Sequence, residues 1–232
     1  IEMPVAPTPF GHVGVFPEQH GNWQWLQDVK PRAEPSIKPS ARNALNLFAY
    51  TGASTLALAK AGFEVVHVDA AKPNVQLARL AAEINGLKDH PIRYLVDDAT
   101  KFATRELRRG NRYHTIVLDP PAYGHGPGGK AWRLERDVWP LLDYCIQLIE
   151  NKFDYRLLIT GHSPQVTADD VIDCLCEQLP RRHGCSRQQV IASTESGRMS
   201  LMDAQQRRLD AGFFVRTRFN SESASAESDT TY

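Results

Sequence analysis

Apolar residues along the chain gather in short, nearly unbroken runs that alternate with stretches of helical spacing. Residues 44–50 (ALNLFAY) read as a strand buried on both faces, the pattern of a parallel sheet covered by helices. Thr51-Gly52 breaks that run. Residues 54–61, rich in Ala and Leu and apolar almost all round, read as a buried helix ended by Gly62. A second strand, 64–68, closes on Asp69. The alternation continues with helix 72–85, whose apolar stripe is Leu77, Ala81 and Ile84 and whose cap is Gly86, then strand 92–96, basic amphipathic helix 100–109 and strand 113–118. Helix 137–151 follows, capped by Asp137, with Pro140 in its first turn and Val138, Leu141, Leu142, Cys145, Leu148 and Ile149 facing inward. Strand 156–160 and helix 167–179 come next, the helix opened by a T-x-x-D box at Thr167 and Asp170. Two runs, 188–193 and 212–219, read as closing strands. Five strand–helix alternations and a closing pair predict an α/β fold: a doubly wound, mostly parallel seven-stranded sheet with a C-terminal antiparallel strand.

The flanks have a different texture. Residues 1–10 are Pro-rich, 12–16 read as a short strand, and Phe16-Pro17-Glu18-Gln19 turns into a short helix over 22–27 that carries Trp23 and Trp25. Residues 30–40, with Pro31, Pro35 and Pro39, read as a linker into the first core strand. The expected organisation is an extension over 1–40 that covers the ligand pocket, a main domain over 41–219, and a disordered Ser- and acid-rich tail over 220–232.

Composition narrows the function classes. Lys plus Arg and Asp plus Glu number 27 each, so no global positive field announces a nucleic-acid partner. The basic clusters at 105–112, Arg181-Arg182-His183 and Arg207-Arg208 read first as solvated faces. Cys145, Cys174, Cys176 and Cys185 fit neither disulfide nor zinc spacing, and no histidine spacing suits a metal. The chain has no 18-residue apolar run and no signal peptide, so the expectation is a cytoplasmic protein without a membrane partner.

The turn after the first strand selects the ligand. A dinucleotide turn requires G-x-G-x-x-G, so that backbone can approach a pyrophosphate. Here it is F-A-Y-T-G-A-S, with Tyr50 in place of a glycine, which suits a ligand without two phosphates, such as S-adenosylmethionine. Asp69 follows at roughly the 20-residue separation where an acid takes ribose hydroxyls. Asp69, Asp98 and Asp119 end consecutive strands and fall on one carboxyl edge; singly, such residues are more often helix caps. In Asp119-Pro120-Pro121 two prolines remove two backbone donors, leaving carbonyls and a carboxylate to hold a substrate amino group or ring N–H. Tyr123 is placed to stack on a flat base. His162, and His125 beside it on the same edge, are candidates for taking a proton.

Together LNLFAYTGAS, VDAAKPNV, DDA and DPPAYG resemble the class I S-adenosylmethionine-dependent methyltransferases, with a nearer likeness to the bacterial 23S ribosomal RNA large-subunit methyltransferases typified by methyltransferase I. GHVGVFPEQHGNWQWL is similar to the segment that precedes the cofactor domain in that group, so the likeness spans 11–219. The resemblance implies a Rossmann-like fold, S-adenosyl-L-methionine as cofactor and RNA, above all ribosomal RNA, as substrate. It implies that Phe48, Ala49, Tyr50, Thr51, Gly52 and Ala53 line the methionine end, Asp69, Ala70 and Asn74 the ribose, Asp98 and Ala99 the adenine, and that Phe16 and Gln19 cover the pocket. Asp119, Pro120, Pro121, Tyr123 and His162 fall at the point of transfer. Asn46 stands where many relatives place an acid. Cytosine-C5 relatives carry a cysteine just after the fifth strand, whereas this chain reads Gly161-His162-Ser163, so transfer to a base nitrogen is the expectation. The family's amino-terminal RNA-binding domain is absent from this sequence. Two alternatives stand beside this one: a methyltransferase of a small molecule or protein, and a non-catalytic module that keeps the fold.

Overall fold

The computed structural model describes residues 1–5, 13–29, 42–125, 131–150 and 154–219. In chain order the strands are β1 (Asn43–Leu47), β2 (Glu64–Asp69), β3 (Ile92–Val96), β4 (Thr115–Leu118), β5 (Tyr123–His125), β6 (Ala131–Arg133), β7 (Tyr155–Gly161), β8 (Thr194–Met202) and β9 (Arg208–Phe219). The helices are α1 (His20–Gln27), entered through a 3-10 turn at Pro17–Gln19, then α2 (Ala53–Lys60), α3 (Lys72–Ile84), α4 (Ala99–Arg109), α5 (Leu134–Gln147), α6 (Ala168–His183) and α7 (Arg187–Ala192). Seven strands make one sheet in the order β3-β2-β1-β4-β7-β9-β8, parallel from β3 to β7 and antiparallel at β9 and β8. The predicted doubly wound sheet and its antiparallel close are therefore present.

Alternating side chains sort the two covering layers. Ala44, Val65, Val117 and Leu158 share one core with Leu26 of α1 and Ala57 and Leu58 of α2. Their neighbours Leu45, Leu47, Ile116, Leu118, Leu157 and Ile159 point the other way, into the core built with α4, α5 and α6. Both faces are covered, so the strands read as unbroken apolar runs. The chain leaves β1 outward to β2 and β3, then returns to place β4 on β1's other side. The crevice between the carboxyl ends of β1 and β4 is thus the topological switch point, where open α/β sheets bind ligands.

Several elements depart from expectation. The run 188–193 is helical, as α7, because Ser186 and Gln189 form a capping box; the strand begins only at Thr194. The predicted strand 12–16 is not one over its described part, 13–16. α3 buries Val75, Ala78, Ala81 and Ala82 and leaves Ile84 exposed. Small residues face inward there because α3 lies close to the first turn: a Cβ on Gly52 would stand 2.9 Å from Ala78 Cβ. α5 starts at Leu134, and Asp137 sits inside its first turn, accepting from Arg133 N at 2.8 Å. α6 runs on to His183, with Pro180 inside it. The stretch after Asp119 folds into the β5–β6 hairpin. The linker over 30–40, the tail over 220–232 and the Gly-rich segment 126–130 lie outside the described residues.

Candidate active site

A cavity of about 630 Å³ opens at the switch point. The elements bring the predicted residues to it from separate parts of the chain. After β1 the backbone turns sharply: Phe48 (φ 54°), Tyr50 (φ 49°) and Gly52 (φ 94°) are all left-handed. Only Gly52 adopts this without a side-chain cost. The turn is held by Asp69, whose Oδ2 accepts from Tyr50 N at 2.8 Å while its Oδ1 accepts from Ala71 N at 2.9 Å and Asn74 Nδ2 at 3.1 Å. Asp69 is buried, and burial pushes its carboxyl above the usual range against those three hydrogen bonds. Oδ1 carries two protein donors and Oδ2 one. One lone pair on Oδ2 therefore remains for a ligand hydroxyl, and a second hydroxyl would have to displace Asn74.

Asp98 is the N-cap of α4, accepting from Lys101 N at 2.9 Å, so the common role of a strand-end Asp is realised here while the residue also lines the cavity. Asp119, at the end of β4, accepts from Thr160 Oγ1 and, at 3.1 Å, from Gln19 Nε2. Burial pushes its carboxyl up to about 6, with the Glu18 charge adding to the rise and the two donors opposing it. Gln19 is thus committed to Asp119 and to Asn22 rather than left open toward the cavity. The 3-10 turn that carries it is docked by Thr51 Oγ1, which donates to Gly14 O at 2.6 Å. The Phe16 and Tyr50 rings meet at the mouth with centroids 5.3 Å apart.

Phe16, Gln19, Phe48, Tyr50, Asp69, Ala70, Asn74, Asp98, Ala99, Asp119, Pro120, Pro121 and His162 all line this cavity. Ala49, Thr51, Gly52 and Ala53 do not; they line a smaller recess of about 30 Å³ that shares Phe16, Gln19, Phe48, Tyr50 and Asp119 with it. Asn46 lies in that recess, buried, with its Nδ2 donating to Thr55 Oγ1. Tyr123 is not among the lining residues: it stands on β5, 59% exposed, opposite Arg133 of β6. The hairpin brings in Trp132 instead. Its ring packs 4.9 Å from Phe48, and its Nε1 donates to Pro121 O at 2.8 Å. Ala122 O accepts from Leu134 N. Two of the carbonyls expected to hold substrate are therefore occupied by protein donors, and Asp119 becomes the principal acceptor at that corner. Trp132 escaped the sequence reading because its strand is too short to show alternation. Glu18, Asp97 and Met199 also line the cavity unforeseen. Asp97 pairs with Arg105.

The electrostatics are one-sided. Glu18, Asp69, Asp97, Asp98, Asp119 and Asp137 line the cavity, and among the described residues no Lys or Arg does. Such a wall suits a cationic ligand and disfavours a phosphate. None of the four cysteines lines it, and burial pushes the Cys145 thiol up to about 12. Among the described residues no group of three or more His, Cys, Asp or Glu is placed to hold a metal, and no helix is long and apolar enough to cross a membrane.

No known family profile matches the chain. Over 105 residues, 45% of this chain, it is 36% identical to the ribosomal RNA large subunit methyltransferase I of Aeromonas salmonicida, and the match spans 26% of that protein's length. The protein of the same name from Photobacterium profundum is 33% identical over 98 residues, 41% of this chain and 25% of the relative. Among solved structures, a SAM-dependent methyltransferase from Agrobacterium tumefaciens aligns with a TM-score of 0.75 and 33% identity over 90% of this chain and 65% of that one. A SAM-dependent methyltransferase described as such for Streptococcus mutans, at 16% identity, TM-score 0.65 and coverage of 90% and 50%, shares the fold. The chain has the class I methyltransferase fold and is similar in sequence to the ribosomal RNA large subunit methyltransferases I over a segment that spans about a quarter of their length.

Proposed function

We propose that the chain binds S-adenosyl-L-methionine at the switch-point cavity and transfers its methyl group to a nitrogen of an RNA base. The observation that carries this reading is the acid-lined cavity, without a Lys or Arg among its described residues, that Asp69, Asp98 and Asp119 line together. Its volume, about 630 Å³, is in the range of small-molecule sites. A sulfonium is a cation without phosphates, and the wall matches both properties. The cofactor supplies an electrophilic methyl group. Asp69 would hold a ribose hydroxyl through Oδ2, Ala70 and Ala99 would flank the adenine with Asp98 beside it, and Tyr50 and Phe48 would shield the sulfur end. Pro120 and Pro121 fix the backbone at the transfer point, and Asp119 accepts the N–H of the incoming nitrogen. His162, exposed at the rim after β7, takes the proton released as the new bond forms. Rate enhancement comes mainly from alignment of the reacting groups with water excluded.

The names and titles of the relatives support the RNA and cofactor assignments by similarity. A small-molecule or protein acceptor is the second reading, favoured by the balanced charge and by the pairing of Arg136, Arg198 and Arg207 with neighbouring acids around the hairpins. Incubation with methyl-labelled cofactor, total cellular RNA and a cell extract separates them. Label in RNA is the expected result; label confined to protein or small molecules contradicts the RNA assignment. Label nowhere, despite cofactor binding, contradicts catalysis.

A further inference from the structure

The acid at the transfer corner is reached by a chain of side chains that starts outside the cavity. Arg216 on β9 donates from Nε to Asn22 Oδ1 at 2.8 Å. Asn22 Nδ2 donates to Gln19 Oε1, and Gln19 Nε2 donates to Asp119 Oδ2 at 3.1 Å. Asn22 and Gln19 are buried, so water does not compete for these bonds. The orientation of a side-chain amide is ordinarily ambiguous, because its oxygen and nitrogen can exchange places. Here the chemistry of both ends removes the ambiguity. A guanidinium has only donors and an ionised carboxylate only acceptors. The Asn22 oxygen must face Arg216, which turns its NH₂ toward Gln19, which turns the Gln19 NH₂ toward Asp119. The Asn22 amide also lies 3.4 Å from Met199 Sδ, a weak acceptor. Thr160 donates to the other Asp119 oxygen, so each oxygen receives one protein donor.

We propose that Arg216, Asn22 and Gln19 are positioning residues, a directional relay that presents Asp119 to the cavity as an acceptor and so selects a substrate offering an N–H at the transfer point. Each Asp119 oxygen keeps a further lone pair for such a hydrogen. A substrate offering only a lone pair there meets a carboxylate already turned against it. The substrate half of this statement rests on the methyl-transfer reading; the relay does not. The Glu18 charge on the 3-10 turn bears directly on Asp119, and the other ionisable groups lining the same cavity are Tyr50 after β1, Asp69 at the end of β2, Asp97 and Asp98 after β3, Asp137 on α5 and His162 after β7. Arg216 is itself faced by Glu195 of β8, 3.5 Å away.

The test is a reversal of the relay. Asn22→Asp keeps the shape but has no donor. It accepts from both Arg216 and Gln19 Nε2, so the Gln19 amide turns over and aims its oxygen at Asp119, which must then be protonated to bond. The Asp119 midpoint is read from the pH dependence of unfolding free energy, each protein against its own Asp119→Asn counterpart. It rises by about one unit or more, roughly tenfold in the acid constant. In a Gln19→Met background the same substitution adds its charge with no amide to reverse, and the shift falls to less than roughly half. Equal shifts in the two backgrounds overturn the relay. A second readout needs no relay variant: in the unmodified protein the Gln19 side-chain NH₂ resonances move with pH through the Asp119 midpoint, and in Asp119→Asn they do not. Resonances indifferent to pH overturn the relay as well. On turnover, Asn22→Asp lowers kcat by about tenfold or more with cofactor affinity within about threefold; a parallel loss of affinity marks a merely structural role and overturns the proposal. The first two readouts use neither cofactor nor substrate, so failure of the methyl-transfer reading registers separately, as absent cofactor binding.

Discussion

Asp119 has a carboxyl pushed up to about 6, above the ordinary carboxylate value of about 4. A raised acid of this kind stabilises the fold below about pH 4, and that contribution is lost as pH rises through about 6. At neutral pH the ionised group is therefore a cost, retained for what it does in the cavity. Asp119→Asn keeps partners for Thr160 and Gln19 and removes the charge. Above about pH 7 it makes the protein more stable than the parent by about 2–3 kcal/mol in urea unfolding, with the gap closing toward pH 4, while methyl transfer falls by tenfold or more. An unchanged or lowered stability at neutral pH contradicts this account of the site. Gly52 makes the converse case, a residue kept for shape. Gly52→Ala imposes a side chain at φ 94° with its Cβ 2.9 Å from that of Ala78. It costs roughly 1–3 kcal/mol and weakens cofactor binding, seen together by thermal unfolding with and without S-adenosylhomocysteine.

Among the elements, α1 shows how the described part of the amino-terminal segment is held beside the cavity that Phe16, Glu18 and Gln19 line. The buried guanidinium of Arg156 on β7 donates to the carbonyls of Leu26, Trp25 and Asp28, and stacks 4.3 Å from the Trp25 ring. It closes the carboxyl end of α1, where unsatisfied carbonyls concentrate partial negative charge. Arg156→Met removes all three bonds. The loss is about 2–4 kcal/mol, and amide exchange in α1 accelerates more than in β1 or β4. Uniform acceleration across the sheet contradicts a local clamp. The sequence showed α1 and the central strands through their spacing, yet hid this bond, because an Arg inside an apolar run gives no sign of which carbonyls it will meet. α7 was hidden for another reason. Val190 and Ile191 fit a strand as well as a helix over so short a run, and the Ser186–Gln189 capping box decided it. The inner face of α3 is set by closeness of approach to Gly52 rather than by apolar size, so the Leu77 and Ile84 spacing does not mark the buried side.

At the scale of the molecule, the sheet order sets the site before any side chain is considered. β1 and β4 are neighbours whose onward connections diverge, and the acids after β2, β3 and β4 converge on the gap this leaves. The strand-end acids and the double proline were legible because they sit at fixed places after apolar runs. Trp132, Glu18 and the Arg216–Asn22–Gln19 chain were not: Trp132 sits on a three-residue strand, and links such as Arg216 to Asn22 join parts of the chain too far apart to leave a local pattern. The acid wall is a property of the whole assembly, since its carboxylates come from the amino-terminal turn, three strand ends and α5. The most direct test of the central claim is calorimetric titration with S-adenosylhomocysteine and S-adenosylmethionine, on the unaltered protein and on Asp69→Ala. Binding at micromolar or tighter affinity, lost in the variant, is the predicted result. No heat with either compound at any temperature, or binding indifferent to Asp69, contradicts it.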